Sequence, residues 1–374
     1  MIIRHFLKWI DGACVAQRCA AASALAHAYL QSDLSSDDRR ATEAALTLLL
    51  EDTSPKVRAA LSESLSLSRD APLSLVTALA GEQVEISGFM LARSPLLSDM
   101  DMIDRVAMGD EAAQRLIAMR PQVSLVLSAA IAEVASPTAC VDLLRNSTAQ
   151  IAPMSLRRMA ERLGAEPSVR EALLRHENLP ADSRHMLAVR IGEALAGMQI
   201  VTATMGKGRA ERVARDTCIK VSLDIADRSA PQDHAALVEH LRERGDLTTA
   251  LIIRTVAYGK IDFFGAILVA LSDQPRSRVG AILTDGRDNA LAALFRSAGL
   301  ADATHRPLIT ALHAWRQVVK GKLVAGPWEI SRKMLSTDSR FSPANGDLEA
   351  LLRSIHLDAA RENARDYAVA MLAA

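Results

Sequence analysis

Arginine is the residue type whose density and spacing could do chemistry in this chain. Residues 145–216 carry twelve basic and eight acidic side chains, whereas residues 1–144 carry twelve and eighteen. Arg158 and Arg162 stand four apart, next to Arg157, and so share one face of a helix. With Arg157, Arg175, Arg184, Arg190, Lys207, Arg209 and Arg212 they form a candidate binding surface. A guanidinium presents a planar fork of donors matched to phosphate and carboxylate, so such a surface would take a phosphate backbone or an acidic partner. The competing reading is a solvated basic face with intrahelical pairs such as Arg158 with Glu161.

Other residue types lack the company that catalysis needs. Gly206-Lys207-Gly208-Arg209 does not have the GxxxxGK[ST] spacing of a phosphate-cradling loop and reads as a hinge. Asp99, Asp101 and Asp104 lack the glycine and closing glutamate of a calcium loop; Ser98 and Asp99 read instead as the start of a helix near Met100. No GxSxG elbow, HExxH or CxxC occurs, and Cys14, Cys19, Cys140 and Cys218 are too dispersed for a disulfide framework. These patterns assign no catalytic, cofactor-binding or metal-binding residue, and no cofactor is expected.

The elements that must position the arginines are helices. Val57, Leu61 and Leu65 recur at four-residue steps, as do Leu73, Val76 and Leu79 at three, with polar residues between them. A run of strand-like residues, Ile200 to Thr204, is the single short exception. Pro55, Pro72, Pro95, Pro121, Pro137, Pro153, Pro167 and Pro180 recur every 13 to 26 residues and read as helix starts, since proline at the first helical position sacrifices no hydrogen bond. Hydrophobic residues make up 49% of the 374 but aromatics only 3%, so the core must be built mainly from aliphatic side chains. The expected fold class is all-α: short helix pairs in a HEAT-like α-solenoid, followed by a second helical domain.

One unit is more specific than this rhythm. Asp52, Pro55, Val57 and Arg58 resemble the turn and second helix of a HEAT repeat, and Pro167, Val169 and Arg170 repeat the pattern. In that class the arginine is structural and holds neighbouring repeats in register, which is the role the resemblance implies for Arg58 and Arg170. Wider strings carry a family likeness: Leu48 to Arg58, Ser94-Pro95-Leu96-Leu97-Ser98-Asp99, Leu237-Val238-Glu239-His240-Leu241, Leu247-Thr248 and Ala298-Gly299-Leu300. Together they resemble the bacterial family known as domain of unknown function 2336, over roughly Phe6 to Gln317. The resemblance implies a helical, HEAT-like bacterial protein and transfers no active-site residues.

The loosened periodicity and glycines after Gly192 place a connection at 199–208, between a repeat domain over 1–198 and a helical domain over 209–320. A helical tail over 321–374 follows, with breaks at Gly326-Pro327 and Ser342-Pro343. Lys8 and Asp11 interrupt the first apolar run, and Arg254, Lys260 and Asp262 interrupt Leu247 to Leu271, so no export signal or membrane span is expected and the location is expected to be cytoplasmic. The functional expectation is a non-catalytic scaffold or regulatory protein that binds a protein partner. The alternative is a nucleic-acid or nucleotide-binding protein that uses the arginines between Arg157 and Arg215. A net charge of zero and tryptophans confined to positions 9, 315 and 328 weigh against the alternative, since base recognition draws on positive charge and stacking platforms.

Overall fold

The computed structural model describes residues 9–10, 12–337 and 346–373, and every regular element among them is a helix. The chain divides into two compact units, Met1–Leu179 and Pro180–Ala374. The division thus precedes the glycine-containing stretch at 199–208, which lies inside the second unit.

The first unit contains α1 (Val15–Gln31), α2 (Ser36–Leu49), α3 (Pro55–Leu65), α4 (Leu73–Ala80), α5 (Val84–Arg93) and α6 (Asp99–Met108). It continues with α7 (Glu111–Ala118), α8 (Leu125–Val134), α9 (Pro137–Arg145), α10 (Pro153–Leu163) and α11 (Pro167–Arg175). Pro55, Pro137, Pro153 and Pro167 take the first helical position as expected. Pro72 stands one residue earlier, and Pro95 and Pro121 lie in the turns before α6 and α8, so proline marks the turns rather than always the first residue. Ser98 caps α6 and its amide bonds Asp101 in a reciprocal box, which consumes one member of the acidic cluster.

Packing steps over alternate helices. α1, α3, α5, α7, α9 and α11 form one series in which successive members touch, and α6, α8 and α10 form another. Val57, Leu61 and Leu65 of α3 and Leu75, Val76 and Leu79 of α4 are buried between them. The first described aromatics of this unit are few, so helix contacts are made by aliphatic side chains that let short helices approach closely.

Side chains with amide or guanidinium donors tie several helix ends to the helix two before. Arg120, buried just after α7, donates to Leu91 O and Ser94 O, both at 2.6 Å, at the end of α5. Arg93 of α5 donates to Ser66 Oγ past α3 at 2.9 Å, and Arg105 of α6 to Glu82 O past α4 at 3.1 Å. Asn146, which caps α9, donates to Ala118 O and Arg120 O at 2.9 and 2.8 Å, at the end of α7. The last carbonyls of a helix have no intrahelical partner and carry the negative end of its dipole, so a cationic fork there satisfies two needs at once.

The repeat residues act within their own turns. Val57 and Val169 are buried. Arg58 donates to Asp52 O at 2.5 Å and lies 3.1 Å from Glu82 Oε1, while Arg170 donates to Gly164 O and Ala165 O at 3.3 and 3.1 Å. The Asp52 carboxylate is engaged by Arg18 of α1, at 2.8 and 3.1 Å, and by the Ser54 amide at 2.8 Å. Burial pushes the Asp52 carboxyl up, but the Arg18 fork and the amide outweigh it and hold the group below its ordinary value.

The second unit contains α12 (Ala181–Gly197), α13 (Gln199–Met205), α14 (Lys207–Arg228), α15 (His234–Arg244), α16 (Thr249–Ala257) and α17 (Ile261–Ser272). Then come α18 (Arg276–Asp285), α19 (Asp288–Ser297), α20 (Asp302–Val319), α21 (Pro327–Thr337) and α22 (Gly346–Ala373). The strand-like run Ile200 to Thr204 is helical: the Thr202 and Thr204 hydroxyls bond back to Met198 O and Ile200 O, which accommodates β-branched residues in a helix. Ile330, Met334, Leu352 and Ile355 join the core of Leu237, Ile253, Phe264 and Phe295, so the segment after residue 320 belongs to this unit's interior. Its expected break at Gly326-Pro327 is the start of α21, whereas Ser342-Pro343 lies outside the described residues. Arg316 of α20 repeats the two-helix reach, donating to Ile282 O, Leu283 O and Gly286 O of α18 at 2.7 to 2.9 Å. Buried Arg254 of α16 holds Asp358 of α22 at 2.8 Å, with Lys220 of α14 at 3.3 Å.

Replacing Arg120 with alanine removes two charge-assisted bonds and orphans buried carbonyls, so it should lower stability by about 3 kcal/mol, read as a lower urea midpoint. An unchanged midpoint would remove Arg120 from this role. Asp358→Ala strands the Arg254 charge and should destabilise by about 3 kcal/mol, whereas Arg254→Met combined with Asp358→Leu should recover most of that loss by the same measurement.

Candidate functional site

The candidate arginines are distributed over both units and do different things. Arg158 of α10 grips Glu133 of α8 through two bonds of 2.6 and 2.7 Å, with Glu161 at 3.9 Å. Arg162 donates to Ala132 O at 3.1 Å and Ala135 O at 2.8 Å, the end of α8, and its guanidinium lies 3.6 Å from Cys140 Sγ. The face shared by Arg158 and Arg162 therefore turns toward α8. Arg157 contacts Met154 Sδ at 3.5 Å, and Arg175 pairs within α11 with Glu171 at 2.6 Å. In the second unit Arg184 and Arg190 are half-buried on α12, where burial and then Arg228 push Arg184 below its ordinary value. Lys207, Arg209 and Arg212 are exposed on the first turns of α14 and make no ion pair among the described residues.

A cleft of about 730 Å³ lies within the second unit, between α12 and α14 and closed by the turn after α15. Its volume falls in the range of small-molecule sites. Val189, Ala214 and Ile219 form its apolar wall, and Glu193, Glu211, Lys207, Arg215, Arg244 and Asp246 its polar parts. Arg244 is occupied by Asp246 at 3.0 Å and by Glu193 at 3.9 Å. His185 lines the inner end, 1% exposed, with its ring edge-to-face on His240 at 5.4 Å. Its Nδ1 has no hydrogen-bond partner among the described residues. Burial, then His240, push His185 down to about 4, so the imidazole is neutral near pH 7. Burial pushes the Cys218 thiol up, so it stands there as a thiol rather than a thiolate. A neutral imidazole and a protonated thiol form no activated nucleophile. Cys140, in the first unit, is pushed up to about 11 by burial and is likewise inert.

A second surface lies on the even-numbered helices of the first unit. Leu73 of α4, Met100 of α6, Leu125 and Val126 of α8 and Met154 of α10 are exposed large apolar residues. Each occupies the first or second position of its helix. Ser124 Oγ donates to Asp99 Oδ2 at 2.5 Å, which brings the starts of α6 and α8 together, and α10 packs on α8 in turn. Sequence reasoning passed over this row, because a lone exposed leucine or methionine is ordinary and only the shared helical register makes these a set. Their recurrence every 26 to 28 residues was the signal available.

Among the described residues no three His, Cys, Asp or Glu side chains converge as a metal site, and no single helix is long and apolar enough to cross a membrane. Every regular element among the described residues is a helix. The family described as "Uncharacterised protein conserved in bacteria (DUF2336)" matches residues 86–340, and the chain belongs to it. No curated protein and no solved structure matches the chain.

Between pH 6.5 and 4 the unfolded chain binds a proton at residue 185 that the folded chain refuses, so stability should fall as pH drops through that window. The loss attributable to His185 should reach about 3 kcal/mol at the acid end and vanish above pH 6.5. His240, also pushed down by burial, acts in the same direction. Urea midpoints of wild type and His185→Gln at both ends of the window check this: a parallel decline in the two proteins would clear His185.

Proposed function

We propose that the first unit is a HEAT-like α-solenoid and that the protein is a non-catalytic scaffold that binds a protein partner. The observation that carries this reading is the set of exposed apolar residues Met100, Leu125, Val126 and Met154 at the starts of α6, α8 and α10, which pack in succession. A repeat array sets equivalent positions of successive units side by side, so residues of one register make an extended strip rather than scattered spots. Apolar side chains held at such a strip suit the hydrophobic centre of a protein interface, where large aliphatic and methionine side chains bury well. The alternate-helix packing and the Arg58 and Arg170 joints support the repeat assignment.

The nucleic-acid reading loses its strongest residues, because Arg158 and Arg162 spend their donors on Glu133 and the end of α8. Polyanion binding needs cations whose charge is free to face phosphate.

Met100→Asp, Val126→Asp and Met154→Asp in one chain should abolish recovery of the native partner in affinity purification, with helical content and thermal midpoint retained. The same proteins recovered by wild type and variant would overturn this assignment of the row. A salt-dependent shift of duplex DNA, lost on Arg158→Ala, would favour the rival reading.

A further inference from the structure

The turn from α12 to α14 joins an exposed apolar surface to a cluster of unpaired cations. α13 has no buried residue, and Leu195, Met198, Ile200, Met205 and Val213 around it are exposed, Ile200 at 73%. α12 and α13, bent by 65° at their break, together reach the hydropathy of a membrane span although no single helix does. A seven-residue helix is far too short to be stable alone in water, so α13 draws its order from α12 and α14, which it touches. Directly after it come Lys207, Arg209, Arg212 and Arg215, all exposed, with Glu211 the sole acidic residue among them. None of the four cations makes an ion pair among the described residues, in contrast to Arg158, Arg175, Arg242 and Arg353, which pair with carboxylates.

These two features select one kind of surface. Apolar side chains gain nothing on a nucleic-acid backbone, and no aromatic residue occurs between Arg184 and Arg254 to stack on a base. A second copy of the same turn would bring like charges together. An anionic bilayer satisfies both at once: its interface takes up aliphatic and methionine side chains, and its phosphates attract lysine and arginine within a Debye length. We propose that the α12–α14 turn docks peripherally on an anionic membrane. Met198, Ile200 and Met205 enter the acyl boundary, and Lys207, Arg209 and Arg212 lie on the lipid phosphates. The expectation of no membrane span concerned a crossing segment, which a peripheral element does not need. The docking does not depend on the apolar row of the first unit.

Co-sedimentation of the full chain with vesicles tests it. The chain should bind phosphatidylcholine vesicles containing phosphatidylglycerol, bind pure phosphatidylcholine weakly, and be released by salt. Lys207→Ala, Arg209→Ala and Arg212→Ala in one chain should weaken binding about a hundredfold, at about fivefold per charge. Met198→Asp with Ile200→Asp should abolish it, and since all five positions are exposed, each variant should keep the wild-type circular dichroism melt. Three results would overturn the proposal: no vesicle binding, equal binding to neutral and anionic vesicles, or binding undiminished in both variants. In the absence of vesicle binding, a duplex DNA shift lost in the alanine variant would assign the turn to nucleic acid. Self-association lost on Ile200→Asp would instead assign it to a second copy.

Discussion

The donation of arginine and asparagine side chains to the C-terminal carbonyls of the helix two places back is the interaction on which both units depend. Short helices leave a large fraction of their carbonyls without intrahelical partners, and those carbonyls concentrate negative potential at helix ends that pack against neighbours. Arg120, Arg105, Arg162 and Asn146 in the first unit, and Arg316 in the second, reach them from the helix two later. Because a guanidinium is a rigid fork, each joint fixes the distance and rotation of a helix pair as well as satisfying its polar groups. Packing of alternate helices then follows from a local rule repeated.

This rule explains why so much positive charge is chemically quiet. An arginine-dense segment suggests anion recognition, yet Arg158 and Arg162 are committed to α8, and Arg58 and Arg170 to their own turns. Lys207, Arg209, Arg212 and Arg215, exposed on α14 next to the apolar turn, make no ion pair among the described residues. In the second unit the same economy takes an ionic form, with Arg254 and Lys220 holding Asp358 so that α22 closes over α16. Aromatics gather there too: Phe264 and Phe295 meet edge-to-face at 5.9 Å. The buried side chains of the first unit are mainly aliphatic.

Much of the fold was legible because it is local. Leu61 and Leu65 at helical spacing, Pro153 opening α10 and Ser98 capping α6 are consequences of neighbouring residues acting on one another. The misreadings had nonlocal causes. Ile200 to Thr204 has strand-like composition, but threonine hydroxyls bonded to the preceding turn keep it helical. The segment after residue 320 looked like an appendage, since nothing near Met334 or Ile355 in the chain announces that their partners lie around Phe295. The cleft beside His185 was invisible for the same reason: its walls come from α12, α14 and the turn after α15.

Sequence alone determined the helical class, the placement of many turns and the scarcity of aromatic packing, because periodicity, caps and proline geometry act over a few residues. The tertiary structure decided which charges remain available. Whether an arginine is a joint or a binding group depends on the carbonyl or carboxylate that meets it from 20 to 30 residues away, as Glu133 meets Arg158 and Leu91 meets Arg120. It also decided that Met100, Val126 and Met154 form a row, since exposure and adjacency are properties of packed helices rather than of residue types.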